Sequence, residues 1–224
     1  MGSLNLSNIT TFVALGDTFA GHGEFLSKWP HLWTVPSQCV VPEGHPIEIP
    51  EYCEEVILNP EPAIVIGDSL WQASEAEAAD AIEAFTVSND VLITGKFPAY
   101  PYEDDPANPM VEHEIQEGMG RKVMPTAQPT LTETIECPYQ DLEDLAVEAS
   151  IDGETVISGS TSDLRYTYPE MVAHASKLVR LQPGDVISIG SPGIDRPKPI
   201  IDDAESVTCT VESVGELTNP VELI

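Results

Sequence analysis

The dipeptide Asp152-Gly153 lies between two runs in which apolar and polar residues alternate, LAVEASI before it and ETVISG after it. Asp-Gly supplies the two positive-φ positions of a tight turn, and a period of two marks strands buried on one face, so the pattern predicts an antiparallel hairpin. A chain committed to such a hairpin must cover its apolar face with more sheet or with helices. The remaining sequence offers both in short lengths. ITTFVAL at 9–15 and VSNDVLI at 87–93 read as strands, and AIVIG at 63–67, bounded by Pro62 and Gly67, reads as a strand buried on both faces. DVISIG at 185–190 and the closing TCTVESVGELTNPVEL, with its glycine turn, add further strands.

Helical signals are fewer. In SEAEAADAIEAF, 74–85, Ser74 and Glu77 form a capping box, and Ala78, Ile82 and Phe85 recur on one face, predicting a helix over the whole stretch. YPEMVAHASKLV, 168–179, reads as a second helix with Pro169 in its first turn. GDTFAGHGEFLSKW, 16–29, carries three glycines and then a short amphipathic piece; residues 34–50 hold four prolines and predict extended loop and edge strand. Residues 95–129 hold six prolines and little periodicity, the pattern of a long lid-like loop. The predicted fold class is a strand-dominated α+β domain, with residues 1–50 as an N-terminal strand and loop segment packed on a core formed by 51–224.

Charge limits the partners. Thirty-eight Asp and Glu against nine Lys and Arg give a net charge of −29 over 224 residues. Such a field repels nucleic acid and anionic membranes. The acids are spread along the chain rather than gathered in a tail, which fits the cytosol of a salt-loving microbe, where molar salt screens self-repulsion. No apolar run approaches 18 residues and the opening MGSLNLSNITTF has no basic and greasy leader, so a cytoplasmic location is expected. None of Cys39, Cys53, Cys137 and Cys209 falls in a C-x-x-C pair, so these thiols are expected to be reduced and mostly buried.

Five segments in order carry a resemblance. GDTFAGHGEF, PIEIPEYCEEVILNPEPAIVIG, SEAEAADAIEAFTVSND, the block LAVEASIDGETVISGSTSDLRYTYPEMVAHASKLVRLQPGDVISIGSPG, and VESVGELTNPV together resemble the fumarylacetoacetate hydrolase family over most of residues 11–221, with 92–130 the weakest part. The resemblance implies a mixed β-sandwich roll, a homodimer, and a divalent ion, Mg²⁺ or Mn²⁺ with Ca²⁺ as a further candidate, held by carboxylates. It also implies a small anionic keto-acid substrate: a 1,3-dicarbonyl or 2-keto acid undergoing C–C hydrolysis, decarboxylation or isomerisation.

The family pattern maps onto this chain with departures. Its Glu-x-Glu falls on Asn59-Pro60-Glu61 and its later Asp on Asp90, so the implied metal set is Asn59, Glu61 and Asp90, with one carboxylate replaced by a neutral amide. Hard cations take such oxygen donors, and the lost charge weakens the set. Read without the family, Glu61 and Asp90 are strand-end acids in a chain full of acids. His22 matches the family histidine that activates water with a Glu three residues on; here Glu24 is two residues on, an offset that points the pair to different helix faces. The family's Arg-Asp after Asn-Asp is replaced by Thr94-Gly95, and its lysine maps to Lys122, with Arg121 a substitute cation on the substrate side. The family Gly-Thr-Pro falls on Gly190-Ser191-Pro192, which keeps a hydroxyl to bind the substrate carboxylate and a glycine that lets the backbone come close.

The expected function is a metal-dependent enzyme acting through a metal-stabilised enolate. A dehydratase of 2-keto-3-deoxy sugar acids is the enzymatic alternative. A catalytically degenerate, metabolite-binding or structural protein is the non-enzymatic one.

Overall fold

The computed structural model describes residues 1–20, 28–51, 55–94, 124–192 and 203–224. Ten strands build two five-stranded sheets: β1 (Phe12–Gly16), β2 (His31–Val35), β3 (Ile47–Ile49), β4 (Pro60–Ile66), β5 (Ile82–Asn89), β6 (Ala146–Ile151), β7 (Glu154–Ser160), β8 (Val186–Ser188), β9 (Ser206–Val211) and β10 (Gly215–Leu223). The first sheet runs β2-β1-β8-β4-β5 and the second β7-β6-β9-β10-β3. Both are mixed: β8 pairs parallel to β1 but antiparallel to β4, and β3 joins β10 in parallel. Residues 1–50 thus contribute β1 and β2 to the sheet that holds β4, and β3 to the other.

All seven residues of β4 are buried because the first sheet is covered on both faces. One face, with Val13, Leu15, Ile64, Ile66 and Ile187, packs on the second sheet through Val147, Ala149, Val207, Val211 and Leu217. The other, with Phe12, Ala14, Ala63, Val65 and Val186, is closed by Leu4, Ile9, Val35, Cys39 and Val40. The strand-dominated sandwich expected from the sequence is the observed architecture.

The Asp152-Gly153 hairpin forms as expected between β6 and β7, with φ of 49° and 85° at the two turn residues. Asp152 does more than turn: its Oδ1 accepts from the backbone N–H groups of Glu205 and Ser206 at 3.0 and 2.9 Å, fixing the start of β9.

The first helix is shorter than its periodicity predicts. Helix α1 (Glu75–Asp80) has the expected Ser74–Glu77 capping box but ends at Ala81, and Ile82 and Phe85 belong to β5. Antiparallel pairing along β4 engages all of Ile82–Asn89 except the bulged Glu83, which outweighs about one and a half more helical turns. Helix α2 (Tyr168–Leu178) forms with Pro169 in its first turn, and Thr167 and Glu170 add a second capping box. It buries Met171 and Val172 completely, each worth about 1.5–3 kcal/mol. Cys39, Cys137 and Cys209 are free thiols, the first and last buried; Cys53 lies outside the described residues.

Candidate functional site

The site residues converge where β4 begins and β5 ends. Beyond the last ladder pair, Pro60 opposite Asn89, the two strand ends are tied by further hydrogen bonds. Asp90 N–H donates to Asn59 O at 3.0 Å, and Asn59 N–H donates to Asn89 Oδ1 at 3.1 Å. The Asn59 side chain closes the join by donating from Nδ2 to Asp90 O at 2.7 Å. Asn59, Glu61 and Asp90 are each at most 6% exposed. Glu61 stands opposite Ser88 in the ladder, and with Asn59 beside Asp90 the period of two puts all four on one face.

Gly190 and Ser191 reach the same place from β8. Ile189 N–H donates to Pro62 O at 3.1 Å, and Gly190 N–H then donates to Glu61 Oε2 at 3.3 Å. The chain turns there because Gly190 has φ of 88° and lies against Thr18 Oγ1, with Leu15 O 3.3 Å from where a Cβ would sit. Thr18 Oγ1 donates to Ile189 O at 2.5 Å, locking the turn from the far end of the sequence. Ser191 is buried, and its hydroxyl sits 3.3 Å from Pro192 O, a long contact that leaves it able to rotate toward a better acceptor.

A second anchorage sets the segment that follows β1. Arg165 N–H donates to Thr18 O and Arg165 Nη1 to Asp17 O, both at 2.8 Å, with Asp17 Oδ1 3.2 Å from the same nitrogen. Ala20 N–H donates to Asp163 O at 2.7 Å. The β1 end is therefore held to the loop between β7 and α2.

The expected catalytic residues His22, Glu24 and Lys122, and the expected substrate-binding Arg121, lie outside the described residues. Of the expected set, Asn59, Glu61, Asp90, Gly190 and Ser191 come together. Among the described residues no three His, Cys, Asp or Glu form a metal-binding group. Cys209 was not singled out by its sequence context. Its thiol is held well above its ordinary range, chiefly by burial and further by the negative charge of Glu61, so it stays protonated. Thr18 and Asn89 were also passed over; the Asn-Asp pairing at 89–90 carried the signal for the latter.

The model of the fumarylacetoacetate (FAA) hydrolase C-terminal family matches residues 13–222. The homoprotocatechuate catabolism bifunctional isomerase/decarboxylase of Escherichia coli is 28% identical, covering 94% of this chain and 46% of its own length. A mitochondrial oxaloacetate tautomerase of Xenopus laevis is 26% identical, covering 96% of this chain and 66% of its own length. The chain thus spans about half to two thirds of these curated relatives. The crystal structure of a 5-carboxymethyl-2-hydroxymuconate delta-isomerase from Mycobacterium smegmatis superposes with a TM-score of 0.77 at 26% identity, covering 96% of this chain and 80% of that one. With the family match running across both sheets and through every strand of the site, this chain belongs to the fumarylacetoacetate hydrolase family.

Proposed function

We propose that this chain is an enzyme that enolises a small 2-keto acid or 1,3-dicarbonyl acid with the aid of a divalent cation. The observation that carries the reading is the pairing of two buried carboxylates, Glu61 and Asp90, at adjoining strand ends beside the Gly190-Ser191 turn. Relatives named as isomerases, decarboxylases and tautomerases support it, since those reactions share proton movement next to a carbonyl.

The donors fit a hard cation: Glu61 and Asp90 offer only oxygens, in the company of backbone and amide oxygens, which suits Mg²⁺ or Mn²⁺. Glu61 and Asp90 would hold such an ion, which when bound would supply Lewis-acid polarisation of the substrate carbonyl. The protein's own groups then bind and orient. The Ser191 hydroxyl donates to the substrate carboxylate. Gly190 N–H donates to Glu61 Oε2 and so holds that carboxylate beside the Ser191 turn. The first sheet, buried on both sides, excludes water from behind the carboxylates and strengthens every charge interaction in front of them.

The test is keto–enol conversion of oxaloacetate followed by ultraviolet absorbance in molar KCl, with Mn²⁺ added back to chelator-treated protein. Turnover that needs the metal and is lost in Glu61→Gln and Asp90→Asn is expected. Metal-independent turnover, or full activity in either variant, would refute the proposal. Asn59 favours a second reading, a protein that binds its keto acid without turning it over; ligand-induced stabilisation with no turnover across a keto-acid panel would select it.

A further inference from the structure

We infer that Asn59 is a positioning residue for Asp90, so that any cation site in this chain is a two-carboxylate site held by an amide clamp. This rests on the metal reading above only in its second half. The clamp itself is visible as three hydrogen bonds that join the end of β4 to the end of β5. Asp90 N–H donates to Asn59 O, Asn59 N–H to Asn89 Oδ1, and Asn59 Nδ2 to Asp90 O.

The last bond decides the chemistry of position 59. A group 2.7 Å from a carbonyl oxygen must be a donor. An amide nitrogen satisfies that and a carboxylate does not: Asp or Glu directed there would set two acceptors against each other in a site where both partners are at most 6% exposed. Asn59 is therefore not a weakened copy of an acidic ligand. Its donor is committed to the peptide that carries Asp90, and Asn89, 1% exposed, takes the complementary bond from the Asn59 backbone. Asn59 lies just past the regular β4–β5 ladder, which runs from Pro60 opposite Asn89 to Ile66 opposite Ile82, so the three bonds carry the pairing beyond the end of the ladder to Asp90. The charge offered to a cation is that of Glu61 and Asp90, and the amide fixes the backbone from which Asp90 projects.

The experiment uses the full chain in molar KCl, stripped of metal with chelator, and two readouts: thermal unfolding, and Mn²⁺ binding by electron paramagnetic resonance. Asn59→Asp keeps the size and removes the donor. Its metal-free Tm is expected to fall by roughly 4–10 °C, and its Mn²⁺ affinity by about tenfold or more. Asn59→Ala removes the donor without adding charge and is expected to lose Tm by a smaller amount, so a failure of the Asp variant to fold does not end the test. An unchanged metal-free Tm in both variants overturns the clamp. Tighter Mn²⁺ binding by Asn59→Asp overturns the two-carboxylate assignment, because it would mean that position 59 faces the ion. If the unmodified chain binds no Mn²⁺, the metal reading fails while the metal-free Tm still decides the clamp.

Discussion

Gly159 of β7 lies against the ring of Pro192: a Cβ on the glycine would overlap Pro192 Cβ and come within 2.7 Å of Cγ. The hairpin opened by Asp152-Gly153 therefore does not merely cover a sheet; its return strand supplies the wall on which the Ser191 turn rests. Gly159→Ala is expected to push Pro192 outward, at a cost of about 1–3 kcal/mol from overpacking. Thermal unfolding should show a lower Tm, and substrate titration a raised KM, since Ser191 moves with the proline. An alanine variant with unchanged Tm and KM would mean the turn is held by Gly190 and Thr18 alone.

Asp185 anchors the start of β8, the strand that leads into the Ser191 turn. Completely buried, it accepts from Thr10 N–H, Thr10 Oγ1 and Thr11 N–H through Oδ1, at 2.9, 2.8 and 2.7 Å, and from Gln182 N–H through Oδ2 at 2.8 Å. An amide can accept at only one of its two positions, so Asp185→Asn turns an N–H toward a donor. The expected loss is about 2–3 kcal/mol, read as a fall in Tm of roughly 5–10 °C. Protection of the Thr10 and Thr11 amides from hydrogen exchange should fall with it.

His174 makes stability depend on pH. Burial holds its pKa below the ordinary histidine value, with Lys177 adding to the depression and the Pro30 carbonyl opposing it. The folded chain thus takes up this proton at lower pH than the unfolded chain does. Stability from this group is full above about pH 6.5, the unfolded value, and declines as pH falls through that value toward the depressed one. Between pH 7.5 and 5, His174→Gln should lose less Tm than the unmodified chain. The stacked Trp29 indole, 5.9 Å from the imidazole and 5° from parallel, gives a fluorescence reading of the same protonation. Identical Tm profiles for the two proteins would remove His174 from the account.

The net charge of −29 sets the response to salt. Raising KCl from about 0.1 M to about 2 M shortens the Debye length from about 10 Å to below 3 Å and screens repulsion among carboxylates spread over the whole surface. Tm should rise steadily across that range, and NaCl should act similarly at equal ionic strength. A Tm that is flat or falling with KCl would show that surface repulsion is not what limits stability.

Much of this was legible in the chain because the governing interactions are local. The Asp152-Gly153 turn, the Ser74–Glu77 cap, the Pro169 helix start and the apolar run of β4 depend on residues within a few positions of one another, and all four formed. The helix expected through Phe85 failed for the opposite reason. Its periodicity was genuine, but β4 offered Ile82–Asn89 a pairing that no window of the sequence contains. The family motifs directed attention to Asn59, Glu61, Asp90 and Gly190-Ser191, which the fold brings to one place.

What the amino-acid order determined by itself was therefore the inventory of short strands, the turns and caps between them, the acidic surface, and the membership of a family. Only the tertiary structure decided that Gly159 backs Pro192, that Thr18 locks the Gly190 turn, and that the Asn59 amide donates to the Asp90 carbonyl. Turn and cap geometry is fixed by steric preferences of a few adjacent residues. These contacts, in contrast, join residues distant along the chain, and their sign depends on distance and on which atom faces which, quantities that exist only once the sheets have closed.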